Sequence, residues 1–330
     1  MNPPKCHAHD YIQWLIASPY TISCTQAALS DSRPIAHDAY SRLLERLEPD
    51  SLSLWHDVLP LIDLSSGFLI VDDSTLDKPY AHHIELVCRH WSGKHRAVVQ
   101  GINLITLLWT DGDIAIPVDW RVFNKDLDHL TKNDHLCQML QTARERGFTP
   151  QCVLWDSWYS SLSNLKMLRQ WGWSFFVGLK SNRQVNPDGQ GNRAINQVDY
   201  PSQRQRTHLK GFGWVNSYKV EEHDAEPRFF ISSEDVALNP AQVKQKREEA
   251  QQIENYHRGL KQECHAERCQ ARKSIKQINH IGLAIRAFVR LEWNRYQSGK
   301  SRFSLKMDII RPALTAYLTQ PFLGLHLPTA

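Results

Sequence analysis

The 330-residue sequence predicts an α/β protein: a mixed sheet with flanking helices, preceded by a small helical region and interrupted by a β-rich insertion. Two patterns and the composition carry this. Short apolar runs ending in acids or turn residues recur between residues 67 and 179 and read as buried strands. They alternate with stretches at helical period, such as Leu130 to Arg146 closed by Gly147. The chain is 42% apolar and 22% charged, the balance of a globular protein with a real core.

The same arithmetic excludes several classes. The longest nearly uncharged apolar stretch, Val98 to Thr110, contains Gln100 and Asn103 and is too short to cross a bilayer. The start, MNPPKCHAHD, has no basic segment followed by an apolar one, so no secretory signal is expected. Seven cysteines without a CxxC pair fit reduced thiols in a cytoplasmic protein. Net charge is only +4, but its distribution is uneven. From Lys244 to Arg302 there are 14 Lys and Arg against 6 Asp and Glu, so the rest of the chain is net acidic. That pattern fits a polyanion-facing C-terminal half and equally a solvated helical surface.

Residues 1–60 read as short helices at Tyr11–Ile16, Thr25–Leu29 and Ala36–Leu47. A Ser/Asp/Pro turn separates the second from the third, whose stripe is Ala39, Leu43, Leu44 and Leu47. The segment fits either a DNA-reading helix-turn-helix or a helical cap, and it lacks a basic recognition face. GFLIVDDST is then a strand delivering carboxylates at its end. His95–Trp109 and Ile114–Phe123 are two strands joined by the turn TDGD. Cys152–Trp155 is a strand with Asp156 at its tip, Ser163–Trp171 a helix, and Trp173–Leu179 a further strand. Residues 181–240 are the β-rich insertion, with strands in GFGWVNSYKV and RFFISS and a flexible loop at NPDGQGN. Ala241–Glu263 reads as one long polar helix and Ile275–Tyr296 as a second. The expected division is a helical region over 1–60, the main domain over 61–300 with its insertion, and a tail over 301–330.

Three acidic positions stand at element ends or on a helix: Asp72/Asp73, Asp156 and Glu254. A carboxylate at the end of a buried strand is costly unless paired, hydrogen-bonded or bound to a cation. Two such strands and a helix carboxylate make an oxygen-rich cage of the kind magnesium and manganese prefer. A pair of such ions can activate a water or hydroxyl against a phosphodiester. Of the two adjacent acids only one faces the cage, because successive strand residues point to opposite sides.

These residues resemble those of bacterial insertion-sequence transposases of the DDE type. In that family the first acid precedes Thr or Ser, as in VDDST, which favours Asp73, with Asp72 as the alternative. The second acid ends a strand, as in VLWDSWYSS, and the third lies on a helix with Lys seven residues later, as in QQIENYHRGLKQE. Glu254, Arg258 and Lys261 fall at i, i+4 and i+7, on one helix face, while Ile253, Tyr256 and Leu260 fall on another. The family's Tyr and Arg should stand where this chain has Arg247 and Ala250, so it resembles a divergent branch, with Arg247 as a substitute cation.

The resemblance implies an RNase H-like, retroviral-integrase-like domain interrupted by the insertion. It implies catalytic, metal-binding acids at Asp73, Asp156 and Glu254, and Mg2+ (with Mn2+ able to substitute), two ions per site. The implied activity is DNA strand cleavage and strand transfer on double-stranded DNA by a homodimer. Arg258, Lys261, Arg247, Lys180 and Arg183 would contact phosphates. Trp214, with Phe212 beside it, stands where relatives hold a flipped base, although packing in a small sheet is the favoured explanation of both. The tryptophans at 155, 158, 171 and 173 read mainly as core, with Trp158 or Tyr159 beside Asp156 as an alternative DNA contact. The alternatives are a non-catalytic DNA-binding regulator and an RNase H-like nuclease without strand transfer. Cys264, His265, Cys269 and His280 fit no zinc spacing. No phosphate-binding G-x-x-x-x-G-K-[ST] loop is present, so no nucleotide cofactor is expected.

Overall fold

A computed structural model describes residues 3–20, 22–92, 97–200, 202–223 and 225–320. The chain divides into two compact units: residues 1–50, 83–85 and 258–330, and residues 51–82 and 86–257.

The larger unit is built on one mixed sheet of eleven strands among the described residues. After helix α4 (Leu52–Val58) come β1 (Phe68–Asp77), β2 (Cys88–Ser92), β3 (Ala97–Thr110) and β4 (Ala115–Phe123). A short helix α5 (Lys125–Asp128) and α6 (Lys132–Glu145) lead to β5 (Cys152–Trp155), α7 (Leu162–Trp171) and β6 (Phe175–Leu179). The insertion supplies β7 (Gln184–Asn186), β8 (Arg193–Ala194), β9 (Arg204–Leu209), β10 (Gly213–Glu222) and β11 (Ala225–Ser232). Helix α8 (Pro240–Ala250) and the start of α9 (Gln252–Gln262) follow. Strand order is β2-β3-β1-β5-β6-β11-β10-β9-β7-β8, with β4 also paired to β3. β1 pairs antiparallel with β3 but parallel with β5, and β5 parallel with β6. The two parallel steps are the two crossed by helices, as a parallel connection requires.

Several elements follow directly from local chemistry. β5 and β6 are buried throughout, so they read as continuous apolar runs and not as alternating ones. α6 starts at a reciprocal capping box between Thr131 and Asp134 and is followed by Gly147 in a left-handed conformation (φ 90°).

Other elements depart from expectation. β1 does not end at its acids. It continues to Asp77 against β3, so Asp72 and Asp73 lie mid-strand, where only the parallel partner stops. The insertion does not form a sheet of its own: β11 pairs antiparallel with β6 and extends the main sheet. The long helix expected over 241–263 breaks at Gln251 into α8 and α9. β2, β9 and α5 had no distinct signal, being short and largely polar. The start of the strand expected from His95 lies outside the described residues.

The smaller unit is helical: α1 (Ala8–Ala17), α2 (Cys24–Ser30), α3 (His37–Arg46), the end of α9, α10 (Ser274–Ser298) and α11 (Arg302–Thr319). α10 is its axis and buries Ile281, Leu283, Ile285, Phe288 and Leu291. Asn279 of α10 donates to the carbonyls of Leu44 and Leu47 at 2.9 and 2.8 Å, satisfying acceptors that end α3. The Ser/Asp/Pro turn is held by Asp31, which accepts from Arg33 and from the Tyr40 hydroxyl. α3 buries Tyr40, Leu43 and Leu44, and its charges are engaged: Arg42 with Asp38, Glu45 with Lys273 and Lys276. Residues 302–319, expected as a tail, form α11, and Pro321 and Pro328 lie outside the described residues. Among the described residues no helix is long and apolar enough to cross a membrane.

Candidate active site

The site grows out of strand register. Phe68, Leu69, Ile70 and Val71 bury the first half of β1, each level with a residue of β5, ending with Val71 opposite Trp155. β5 stops there, so Asp156 stands one step on, level with Asp72. Residues level in neighbouring strands share a face, and successive residues alternate. Asp72 therefore shares the face of Asp156, and Asp73 points the other way. Across β5, Trp155 opposes Val177, which puts Gly178 of β6 level with Asp156. A Cβ at Gly178 would lie 2.7 Å from the Ser157 nitrogen and 3.2 Å from the Asp156 carbonyl carbon. The missing side chain is what lets the turn carrying Asp156 fold over β6.

Asp72, Asp156 and Glu254 line one cleft of about 310 Å³, together with Arg228, Arg247, Phe176 and Phe230. The turn after β5 is held locally. The Trp158 backbone N–H donates to Asp156 Oδ1 at 2.8 Å, and Trp155 Nε1 donates to Ser160 Oγ at 3.1 Å. Burial, followed by the charges of Asp73, Asp156 and Glu254, pushes the Asp72 carboxyl well above the usual carboxylate range. Among the described residues no cation pairs with it. Asp156 is also raised, first by desolvation and further by the Asp73 charge, with the Trp158 and Tyr159 N–H groups and Arg228 opposing.

Asp73 has the opposite surroundings. Its carboxylate accepts from Asn103 Nδ2 at 2.7 Å, Lys132 Nζ at 2.7 Å and the Tyr159 hydroxyl at 2.8 Å. Burial alone would raise it, but Lys132 and these hydrogen bonds outweigh burial and hold it below its ordinary value. Sequence reasoning preferred Asp73 on the acid-then-Ser pattern; the structure puts Asp72 in the cleft and commits Asp73 to a cation.

The remaining predicted residues scatter. On α9, Glu254 and Arg258 are exposed and Lys261 half-buried, while Ile253, Tyr256 and Leu260 are buried. Arg247 lines the cleft but is ion-paired with Glu222. Lys180 lines a second cleft, next to the first. Arg183 is half-buried, and desolvation lowers its guanidinium. Trp214 is partly exposed on β10, with the Arg206 guanidinium 4.1 Å from its ring centre. Phe212 is core, packed on Phe175 and Arg169. Arg228, Lys132 and Asn103 were missed. Nothing in RFFISS, TKND or GINL marks them, because they matter only through contacts with residues distant in the chain.

The donor set fits a hard divalent cation in kind: three carboxylates around one cleft, with Asp72 desolvated, repelled by other acids and without a cation partner. As placed, no three His, Cys, Asp or Glu side chains among the described residues gather closely enough to form a closed metal cage.

Residues 7–228, two-thirds of the chain, match the sequence pattern of the DDE superfamily endonucleases. The chain belongs to this family. Its members cut phosphodiester bonds with divalent metal, and the matched stretch contains Asp72, Asp73 and Asp156 but stops before Glu254. No curated protein matches this DDE endonuclease. Among solved structures it is similar to the piggyBac transposase in a synaptic complex with hairpin DNA. The TM-score is 0.53 at 14% identity, over 96% of this chain and 73% of that one. That likeness shows the fold, an RNase H-like mixed sheet with flanking helices. The Drosophila P element transposase strand transfer complex aligns at a TM-score of 0.20 and 9% identity, over 97% of this chain and 88% of that one. So low a score carries no weight.

Proposed function

We propose that this endonuclease is a DNA transposase of the insertion-sequence type, which cleaves at the ends of its element and joins the freed 3′ hydroxyl to target DNA. The observation that carries it is the register that sets Asp72 level with Asp156 in a cleft also lined by Glu254. Those three carboxylates are the proposed metal holders, with Asp72 in place of Asp73. Magnesium bound there would supply activated water and charge stabilisation for in-line displacement at phosphorus.

The chain's own residues do the rest. Asp73 clamps Lys132 and Tyr159 behind β1. Gly178 keeps the Asp156 turn close to the sheet. Arg228 faces the cleft without a carboxylate partner among the described residues and is placed to meet a phosphate. Arg258 and Lys261, one and two turns after Glu254, are proposed to follow the same strand. Arg247 is less available, being paired with Glu222. Trp214 and Arg183 remain candidates for contact with DNA further along the insertion. Double-stranded DNA is the proposed partner, and two copies would join two element ends. For residues 1–60, the packing of α3 on α10 and its paired charges favour a structural role within the helical unit over DNA reading.

The test incubates the full chain and Mg2+ with DNA carrying the gene's flanking sequence and a target plasmid. Breaks at element ends plus joined products are expected, both lost in Asp72→Asn and Asp156→Asn. Breaks without joined products would leave a nuclease. Cleavage that persists in Asp156→Asn would overturn the site.

A further inference from the structure

We infer that Tyr159 is a positioning residue of the acid cleft. Its hydroxyl ties the turn that carries Asp156 to Asp73 of β1, and this tie holds Asp156 level with Asp72 for a shared divalent cation. The inference rests on reading that cleft as a metal-dependent cleavage site.

β5 ends at Trp155, so Asp156 sits on a turn, whereas Asp72 sits inside a strand that runs on to Asp77. A turn has no ladder to fix its side chains, and a metal site needs its ligands placed to within about 0.5 Å. Tyr159 supplies the missing anchor. It is fully buried, so its ring has no face open to a ligand. Its hydroxyl donates to Asp73 Oδ1 at 2.8 Å. Its N–H faces the Asp156 carboxylate, beside that of Trp158. Its carbonyl accepts from the Ser161 N–H and from Asn164 Nδ2, both at 2.8 Å.

These bonds close into a ring. Asn164 of α7 also donates to Asn133 Oδ1 at 2.7 Å, and Asn133 follows Lys132, which is paired with Asp73 at 2.7 Å. The circuit Asp73–Tyr159–Asn164–Asn133–Lys132 fixes the turn against β1, α6 and α7 at once. Phenylalanine at 159 would fill nearly the same volume, so packing alone does not call for the hydroxyl. What the hydroxyl adds is direction: a charge-assisted bond to a carboxylate that Lys132 and Asn103 already hold still. The acid on the far face of β1 thereby places the turn of an acid in the cleft. Ligand geometry fixed from outside the metal's own shell is a general source of metal affinity.

The test makes Tyr159→Phe in the full chain, with Tyr218→Phe as the control. Tyr218 is also buried and its hydroxyl also bonded, to Ser232 and the Leu238 N–H, but it does not line the acid cleft. In metal-free protein, Tyr159→Phe should speed amide hydrogen exchange about 10-fold over residues 156–161 and leave β5 protected. Calorimetric titration with Mn2+ should show affinity about 10- to 100-fold weaker. Tyr218→Phe should change neither. In an Asp73→Ala background, Tyr159→Phe should cost little more, because its bonding partner is already gone. Unchanged exchange and Mn2+ affinity in Tyr159→Phe, an equal loss in Tyr218→Phe, or a full further loss on top of Asp73→Ala overturns the inference. If Mn2+ binding is indifferent to Asp72→Asn, the cleavage-site reading fails, and the exchange measurement still decides whether Tyr159 holds the turn. Normal Mn2+ binding and cleavage in Tyr159→Phe removes the positioning role alone.

Discussion

The two faces of β1 handle a buried carboxylate in opposite ways. On one, Asp73 is surrounded by an ammonium, an amide and a phenol, and its charge is compensated within the protein. On the other, one residue away, Asp72 is desolvated and faces other acids, with no cation partner among the described residues. Asp73 is thus tied into the architecture, whereas Asp72 lines the cleft. The contrast assigns different work to two residues that look interchangeable in sequence.

The largest expected effect breaks the contrast on the cleft side. Asp72→Ala should reduce metal-dependent cleavage and Mn2+ affinity by more than the roughly 10- to 100-fold that loss of an outer-shell partner costs. Calorimetric titration with Mn2+ and a nicking assay measure both, and unchanged values would return the first acid to Asp73.

A second buried ionisable group, in the helical unit, shows a third solution. His265 is held neutral, pushed down to about 4 by burial and then by Lys306, whose ammonium lies 3.2 Å from its Nε2. The unfolded imidazole titrates near 6.5, so the unfolded state binds more protons between those values and stability falls as pH drops from about 6.5 towards 4. The loss should approach about 3 kcal/mol. His265→Asn, which suits the positive φ of 61° there, should flatten that slope in denaturation curves between pH 7 and 4. An unflattened slope would place the titration elsewhere.

On the architectural side of β1, Asp73→Ala leaves Lys132 without its partner. Breaking a fully buried pair costs about 3–5 kcal/mol. The two side chains are 19% and 17% exposed, so about 2 kcal/mol is expected in urea unfolding. Asp72→Asn should instead stabilise the fold by about 1 kcal/mol, since it removes a carboxyl whose ionisation burial and the neighbouring acids oppose. Equal destabilisation by both changes would erase the distinction between the faces. The smallest effect expected on cleavage is from Gly178→Ala. Its Cβ meets backbone and not a flexible tip, so about 1–3 kcal/mol of strain and a partial loss of cleavage should appear together.

How much was legible can be read residue by residue. β5 matches its expected span, Cys152–Trp155, because a short apolar run closed by an acid leaves little choice. The buried set of α9, Ile253, Tyr256 and Leu260, also follows from periodicity, as does the burial along α10. Local patterns record which residues face inward, and they led to the acids at 72/73, 156 and 254. They do not record which distant residue lies alongside. Asp72 and Asp156 are 84 positions apart in the chain, and a strand's alternation is unchanged when its partner slides by one residue. Only the paired sheet decides that Asp72 is level with Asp156, that Gly178 clears the space beside them, and that β11 joins β6 and brings Arg228 to the cleft. Sequence alone determined the acids and the elements that carry them. Tertiary pairing decided which acid faces the cleft, because the side a residue faces is local and its neighbour across the sheet is not.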